Sequence, residues 1–146
     1  SLQNRGANFS LDPASDNCLA GGKRSYHTII PGFLLRDGAA VGPFGVMGAF
    51  MQPQGQTEVL VNTLDYHMNP QEALDAPRIQ WIGGRRLELE REAGEAIADE
   101  LRAMGHEVTV VDDRISMGRG QIIWRGEDGV YTAGTEPRCD GAVAAW

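Results

Sequence analysis

The sequence predicts an α+β fold, with helices layered on mainly antiparallel sheet. Three observations predict it. Asp37-Gly38 lies between two apolar, β-friendly runs, a strong hairpin signal. Stretches with helical periodicity separate this hairpin from later strand pairs. The resulting order is hairpin, helix pair, hairpin, helix, strand, hairpin, which suits helices packed on an antiparallel sheet.

Composition bounds the reading. The chain has 146 residues, enough for one domain with a real core. Hydrophobic residues make up 42% and charged residues 23%, an ordinary globular balance. Net charge is -7, which disfavours a nucleic-acid surface built on clustered Lys and Arg. A local basic site on an acidic protein remains compatible with that charge. No apolar run approaches the ~18 residues of a membrane-crossing helix. The chain opens on Ser1-Leu2-Gln3-Asn4-Arg5-Gly6, without Met or a signal peptide, and reads as the interior of a longer sequence. A periplasmic or a cytoplasmic location is therefore left open. Cys18 and Cys139 are far apart and form neither a metal motif nor a disulfide framework. No metal and no cofactor are expected.

The elements follow in order. Residues 1–25, rich in Asn, Asp, Gly, Pro and Ser, read as a long irregular arm, with turns at Asp12-Pro13 and Ala20-Gly21-Gly22. The run from Ile29 to Leu35 is the first strand, with Pro31 marking an edge or bulge. The return strand is Ala39 to Val46. Both are apolar at nearly every position, which predicts cover on both faces. Gln54 to His67 carries a helical stripe of Val59, Leu60, Asn62 to Leu64 and Met68, with Glu58 and Asp65 outside. Asn69-Pro70-Gln71-Glu72 reads as cap, first-turn proline and capping box of a short helix that Pro77 ends. Ile79 to Ile82 and Arg86 to Glu90 flank Gly83-Gly84 as a strand pair, with Glu88 and Glu90 on one solvated face. Glu92 to Met104 is an amphipathic helix with an Ala93, Ile97, Leu101, Met104 stripe, stopped by Gly105. His106 to Val111 is a strand, with His106 at the surface. A last hairpin joins Arg119–Arg125 to Val130–Gly134. Thr135 to Gly141 is a polar turn.

Two places carry candidate chemistry. At Phe44 to Gly55 an apolar run reaches glycine, turns and enters a helix. Small residues let a backbone approach another group closely, and the first amides of a helix lack intrahelical acceptors. Gly48 and Ala49 thus offer N–H groups for an anion or a developing oxyanion. His27 and Thr28 stand where the polar arm meets the first strand, with an imidazole and a hydroxyl suited to a substrate carboxylate. Arg5 and Asn8 are polar groups of the arm that suit a binding site. No P-loop, dinucleotide-binding glycine motif or nucleophile elbow occurs.

Five segments, Leu2-Gln3-Asn4-Arg5-Gly6, Gly22 to Thr28, Gly45 to Gly55, Met68 to Arg78 and Glu136-Pro137-Arg138-Cys139-Asp140-Gly141, occur in one order. They resemble the C-terminal part of the small subunit of γ-glutamyltranspeptidases (glutathione hydrolases) and their acylase relatives. The resemblance spans residues 1–146 as a single domain. It implies the N-terminal-nucleophile (Ntn) hydrolase fold, a four-layered αββα sandwich. It also implies a self-cleaving precursor, a large-subunit partner and an N-terminal threonine that forms an acyl-enzyme. That threonine has no counterpart here: Thr28, Thr57, Thr63, Thr109, Thr132 and Thr135 all fall elsewhere. The alignment makes Ser1 internal, although a terminal hydroxyl also suits a nucleophile.

By the same resemblance Gly48 and Ala49 match the oxyanion-hole pair. His27 and Thr28 match two serines that bind the glutamyl α-carboxylate. Arg5 and Asn8 match a polar residue and an aspartate that grips the α-amino group; Asn8 lacks that charge, and His27 lacks the hydroxyl. These departures weaken the case for γ-glutamyl specificity and admit a different acyl group. The expectation is a γ-glutamyltranspeptidase-like enzyme that cleaves γ-glutamyl amides and passes the acyl group to water or an amine, of which this segment alone is inactive and prone to self-association. An acylase-like relative with a different acyl donor and a non-catalytic binding module of the same fold are the alternatives.

Overall fold

A computed structural model describes residues 4–146. Ser1, Leu2 and Gln3 lie outside it, and with them the candidate Ser1 nucleophile and the start of the first family-like segment. The chain divides into two compact units, one ending at Ile30 and one spanning Pro31–Trp146.

The first unit is an arm without α-helix or extended strand among its described residues. A 3-10 turn covers Arg5–Asn8. Ser10 and Cys18 form an isolated parallel bridge, closed by Ser10 N–H to Asn17 O at 3.0 Å and Leu19 N–H to Ser10 O at 2.9 Å. The Asn17 Nδ2 amide donates to Asn8 O at 2.7 Å. The arm's shape thus comes from short-range polar contacts, as its composition predicts.

The second unit holds two sheets. β1 (Gly32–Arg36), β2 (Ala39–Met47), β6 (Arg119–Arg125) and β7 (Tyr131–Thr135) form an antiparallel sheet in the order β1-β2-β6-β7. β3 (Ile79–Gly83), β4 (Arg86–Glu90) and β5 (Glu107–Val111) form the other, antiparallel at β3–β4 and parallel at β4–β5. Parallel neighbours need a crossover, and α3 (Glu95–Ala103) supplies it. The predicted Asp37-Gly38 turn is present, with φ of 51° and 80°, the positive pair of a type I′ hairpin turn. The first strand starts at Gly32 rather than Ile29, because Pro31 has no N–H to give the ladder.

α1 (Met51–Leu64) and α2 (Pro70–Asp75) cover the inner face of the four-stranded sheet. α1 begins three residues before the expected Gln54, because Pro53 is tolerated in a first turn. Its buried residues are Met51, Gly55 and Val59, one face at i, i+4 and i+8. A Cβ on Gly55 would stand 2.7 Å from Val46 Cγ1, so only glycine lets α1 lie this close to β2. Phe44, Val46, Val59, Ala73, Leu74, Ile122 and Trp124 form the core, with the Phe44 and Trp124 rings tilted at 5.7 Å.

The opposite sheet face departs from expectation. Phe33 is 57% and Met47 55% exposed, and Phe33, Pro43 and Ile123 sit on that face by strand pairing. The apolar runs do read as doubly covered strands, yet within this unit the helices cover only one side. α3 is also shorter than expected. Gly94, at φ 89°, separates it from a 3-10 turn at Arg91–Ala93. Its buried residue is Ala98, while Ile97 and Met104 of the expected stripe face solvent, because α3 meets a sheet of only three strands. His106 is half-buried rather than at the surface.

The α2 start is as the sequence predicts. Asn69 Oδ1 accepts from Gln71 and Glu72 N–H at 2.9 and 3.0 Å, and Glu72 Oε2 accepts from Asn69 N–H at 2.9 Å. Asn69→Ala removes one half of this reciprocal cap. It is expected to destabilise the protein by about 1 kcal/mol, read as a lower urea midpoint at unchanged slope.

Candidate functional site

β2 ends at Met47, and the chain turns through Gly48 and Ala49 into α1. Gly48 has φ 148° and Ala49 φ 52°. The turn's carbonyls are taken by the helix: Met51 N–H donates to Gly48 O at 2.9 Å and Gln52 N–H to Ala49 O at 3.2 Å. The Gly48 and Ala49 amides have no acceptor among the described residues. Ala49 adopts the left-handed region despite its Cβ, at about 1 kcal/mol, so alanine in place of glycine still presents its amide. Gly48 has no such latitude. A Cβ there would meet Gly118 Cα at 3.0 Å and Met51 Cβ at 3.1 Å.

In the arm, Arg5, Phe9, Lys23, Arg24, Ser25 and His27 are among the residues lining an open groove of about 710 Å³. Arg5 Nε donates to Thr28 Oγ1, which brings those two predicted site residues together. Lys23 Nζ donates to Asp16 O. Among the described residues, no Asp or Glu lines the groove. Asn8 is exposed on the 3-10 turn and does not line it. The arm therefore gathers Arg5, His27 and Thr28 and leaves Asn8 aside.

A charged cluster inside the second unit was not legible as such. Arg78, Glu90 and Glu136 are 2%, 1% and 1% exposed. Arg78 Nη2 donates to Glu136 Oε2 at 2.9 Å, and Arg78 Nη1 donates to Met117 O and Gly118 O at 2.9 and 3.1 Å. Arg138 bridges Glu136 Oε1 at 2.7 Å and Glu90 Oε1 at 2.6 Å, and its remaining donors reach Leu74 O and Ala76 O. The expected solvated Glu88–Glu90 face is thus corrected at Glu90: period-2 alternation places it outward, but it ends a central strand where two arginines converge. The polar turn after Thr135 likewise buries its Glu and Arg. The sequence signal was the opposite-charged spacing of Glu136 and Arg138 around Pro137, too short to distinguish from a solvated turn.

Electrostatics follow from this packing. Burial opposes ionisation of Glu136, but the Arg138 hydrogen bond and Arg78 charge outweigh it and hold the carboxyl below its usual range. Burial and the nearby Arg138 charge lower the Arg78 value, against the attraction of Glu136; a guanidinium stays charged regardless. Glu58 is the outlier. Expected outside the α1 stripe, it is half-buried. Burial raises its pKa to about 7, against the Ile79 N–H bond at 3.2 Å and the Arg78 charge. Its Oε2 is enclosed without a partner among the described residues.

Glu58 is thus favoured neutral in the folded state. Its contribution is fully present below the unfolded value of 4.5 and is lost as pH rises through about 7, a linkage of ~3 kcal/mol at most. Glu58→Gln keeps the Ile79 bond and removes the titration. The variant is expected to match the native protein at pH 5 and to exceed it in stability at pH 8, by urea denaturation; an equal difference at both values would refute the assignment. Ala49→Gly relieves the left-handed strain and is expected to leave stability within about 1 kcal/mol of native, whereas Gly48→Ala lowers it more.

Comparison with known proteins agrees with this architecture. The family model for Gamma-glutamyltranspeptidase matches residues 1–146. The glutathione hydrolase-like YwrD proenzyme of Bacillus subtilis is 38% identical over 97% of this chain and 28% of its own length. The oxamate amidohydrolase proenzyme of Klebsiella pneumoniae is 36% identical over 99% of this chain and 28% of its own. A crystal structure of cephalosporin acylase from Bacillus halodurans superposes with TM-score 0.95 at 57% identity, covering 99% of this chain and 27% of that one. The chain spans little more than a quarter of the length of these relatives. The α+β arrangement is that of an Ntn hydrolase, and the chain belongs to the γ-glutamyltranspeptidase family.

Proposed function

We propose that this chain is the C-terminal part of the small subunit of an Ntn amidohydrolase, which cleaves an amide and passes its acyl group to water or an amine. The observation that carries this reading is the Gly48–Ala49 turn, whose two amides lack acceptors among the described residues while their carbonyls are engaged by α1. Such amides suit the oxyanion formed when a nucleophile adds to an amide carbonyl. The nucleophile is an N-terminal threonine of the processed precursor, which this chain does not contain. Its hydroxyl bonds to the carbonyl carbon, and the C–N bond breaks. The amine leaves with the hydroxyl's proton, carried by the threonine's own α-amine. Water or a second amine then releases the acyl group.

The arm selects the acyl group. Arg5, Lys23, Arg24 and His27 line its groove with no acid among the described residues, and Asn8 is neutral. A donor ending in a carboxylate suits these groups. A donor that also carries an ammonium finds no counter-charge there. The substrate class is therefore an acylase-type monoamide of a dicarboxylic acid. Oxamate, named in one relative's activity, is itself a monoamide of a dicarboxylic acid. γ-Glutamyl amides are the second reading, favoured by the Thr28 hydroxyl beside Arg5. The partners are the large subunit and the rest of the small subunit. Alone, this segment is inactive, and its apolar face at Phe33, Met47 and Ile123 favours self-association.

The test compares glutaryl- and γ-glutamyl-p-nitroanilide, which differ only by the α-ammonium. They are given to the processed full-length protein and to this chain. The full-length protein is expected to prefer the glutaryl anilide by about tenfold or more in kcat/KM, a difference of ~1.4 kcal/mol; this chain is expected to hydrolyse neither. A γ-glutamyl preference would restore the second reading. Activity in this chain alone would return attention to Ser1.

A further inference from the structure

The buried charge cluster lies in the same unit as the Gly48–Ala49 turn, and the two are joined by contacts that no assigned role uses. Both donors of one Arg78 guanidinium edge are fixed. Nη2 meets Glu136 Oε2 at 2.9 Å, and Nη1 spans the successive carbonyls of Met117 and Gly118 at 2.9 and 3.1 Å. Glu136 Oε2 also accepts from Gly120 N–H at 2.6 Å. One arginine and one glutamate therefore hold residues 117–120 from both ends. The arginine is itself fixed at its backbone, where its N–H donates to Glu90 Oε2 at 2.8 Å and its carbonyl accepts from Glu90 N–H at 3.0 Å.

The held segment lies directly against the turn. Gly118, at φ 78°, has no room for a Cβ, which would fall 2.6 Å from Met47 O. A Cβ on Gly48 would stand 3.0 Å from Gly118 Cα, 3.1 Å from Met51 Cβ and 3.5 Å from Gly118 N. Gly118 packs against the Met47 carbonyl and Gly48, and the Val46 and Met51 side chains close the remaining space, which leaves little room to absorb a shift. A movement of the Met117 and Gly118 carbonyls therefore moves Gly48 and the amide that follows it.

We propose that Arg78 is a positioning residue for the Gly48–Ala49 amides, acting through the carbonyls of Met117 and Gly118. It touches neither substrate nor reacting atoms. The proposal rests on the oxyanion-hole reading of that turn. Oxyanion donors work by being preorganised where charge develops, and losing one costs about 100- to 1000-fold in kcat. A donor displaced rather than lost costs less, and the loss falls on kcat rather than on KM.

The experiment uses the processed full-length protein and two variants. Arg78→Lys keeps a charge opposite Glu136 but not the planar fork that spans two carbonyls. Arg78→Met combined with Glu136→Gln removes both charges, so that no carboxylate is stranded. Hydrogen exchange of peptides covering residues 44–52 reports on the turn without needing activity. Anilide hydrolysis reports on kcat and KM separately. The expected result in both variants is faster exchange at 44–52 with kcat lowered about tenfold to 100-fold and KM within about twofold. Unchanged exchange at 44–52 would overturn the proposal, as would faster exchange with unchanged kcat, or a loss carried by KM alone. Absence of hydrolysis in the unmodified protein would instead refute the oxyanion-hole reading, and the exchange data would still decide whether Arg78 holds the turn.

Discussion

The second unit depends on a charge problem solved in its interior. Arg78, Arg138, Glu90 and Glu136 are almost wholly removed from water. Ions taken from water are costly unless every donor and acceptor finds a partner. Here they do. Arg138 bonds both carboxylates and two carbonyls at the end of α2, and Arg78 bonds Glu136 and two carbonyls before β6. The elements tied are α2, the segment before β3, the end of β4, the approach to β6 and the chain beyond β7. These come from distant parts of the sequence, and apolar packing alone would not fix their register so narrowly. Removing one member strands a buried charge, a loss of about 3–5 kcal/mol.

The same network explains why the turn before α1 can be built from strained backbone. Ala49 sits at positive φ, and Gly48 and Gly118 meet with no side chain between them. Strained conformations persist where their surroundings over-determine them. The surroundings here are α1, which takes both turn carbonyls, and the 117–120 segment, which the arginine holds. Glu58 adds a cost to this region: an enclosed oxygen without a partner, eased by keeping the proton. Acid protonates Glu136 against its arginines, while rising pH ionises Glu58. The two carboxyls oppose one another, so the unit is best satisfied between those limits.

Much of this was legible in the sequence, for reasons of range. The Asp37-Gly38 hairpin turn and the Asn69–Glu72 cap are written in a few adjacent residues, and both are present. The strand–turn–helix passage at Gly48 was readable from the glycine and the apolar run before it, although the contact with Gly118 that requires glycine there is long-range. What the sequence hid is long-range. Nothing near Glu90 announces that Arg138, 48 residues away, will bury it. Glu58 reads as an outer helix position until β3 is laid beside it. Apolar runs in β1 and β2 imply two covered faces, but periodicity cannot say which polypeptide covers them. In the arm, Arg5, His27 and Thr28 were legible as a group only by family resemblance, since an irregular segment has no period to place them.

Arginine appears in two settings, and the contrast bears on specificity. Arg78 and Arg138 are buried, permanently paired and structural. Arg24 and His27 line an exposed groove, where an ion pair with a ligand is worth about 1 kcal/mol or less in water. Charge alone in that setting cannot select an acyl donor strongly. The same pair becomes several times stronger once water is excluded. Discrimination against an ammonium follows the same rule, because an unpaired charge is tolerated in water and penalised when covered. The missing acid in the groove therefore gains its selective weight from whatever covers the bound acyl group. Under the function proposed above, the choice of donor rests partly on the arm's own charges and partly on how far water is excluded around the bound acyl group.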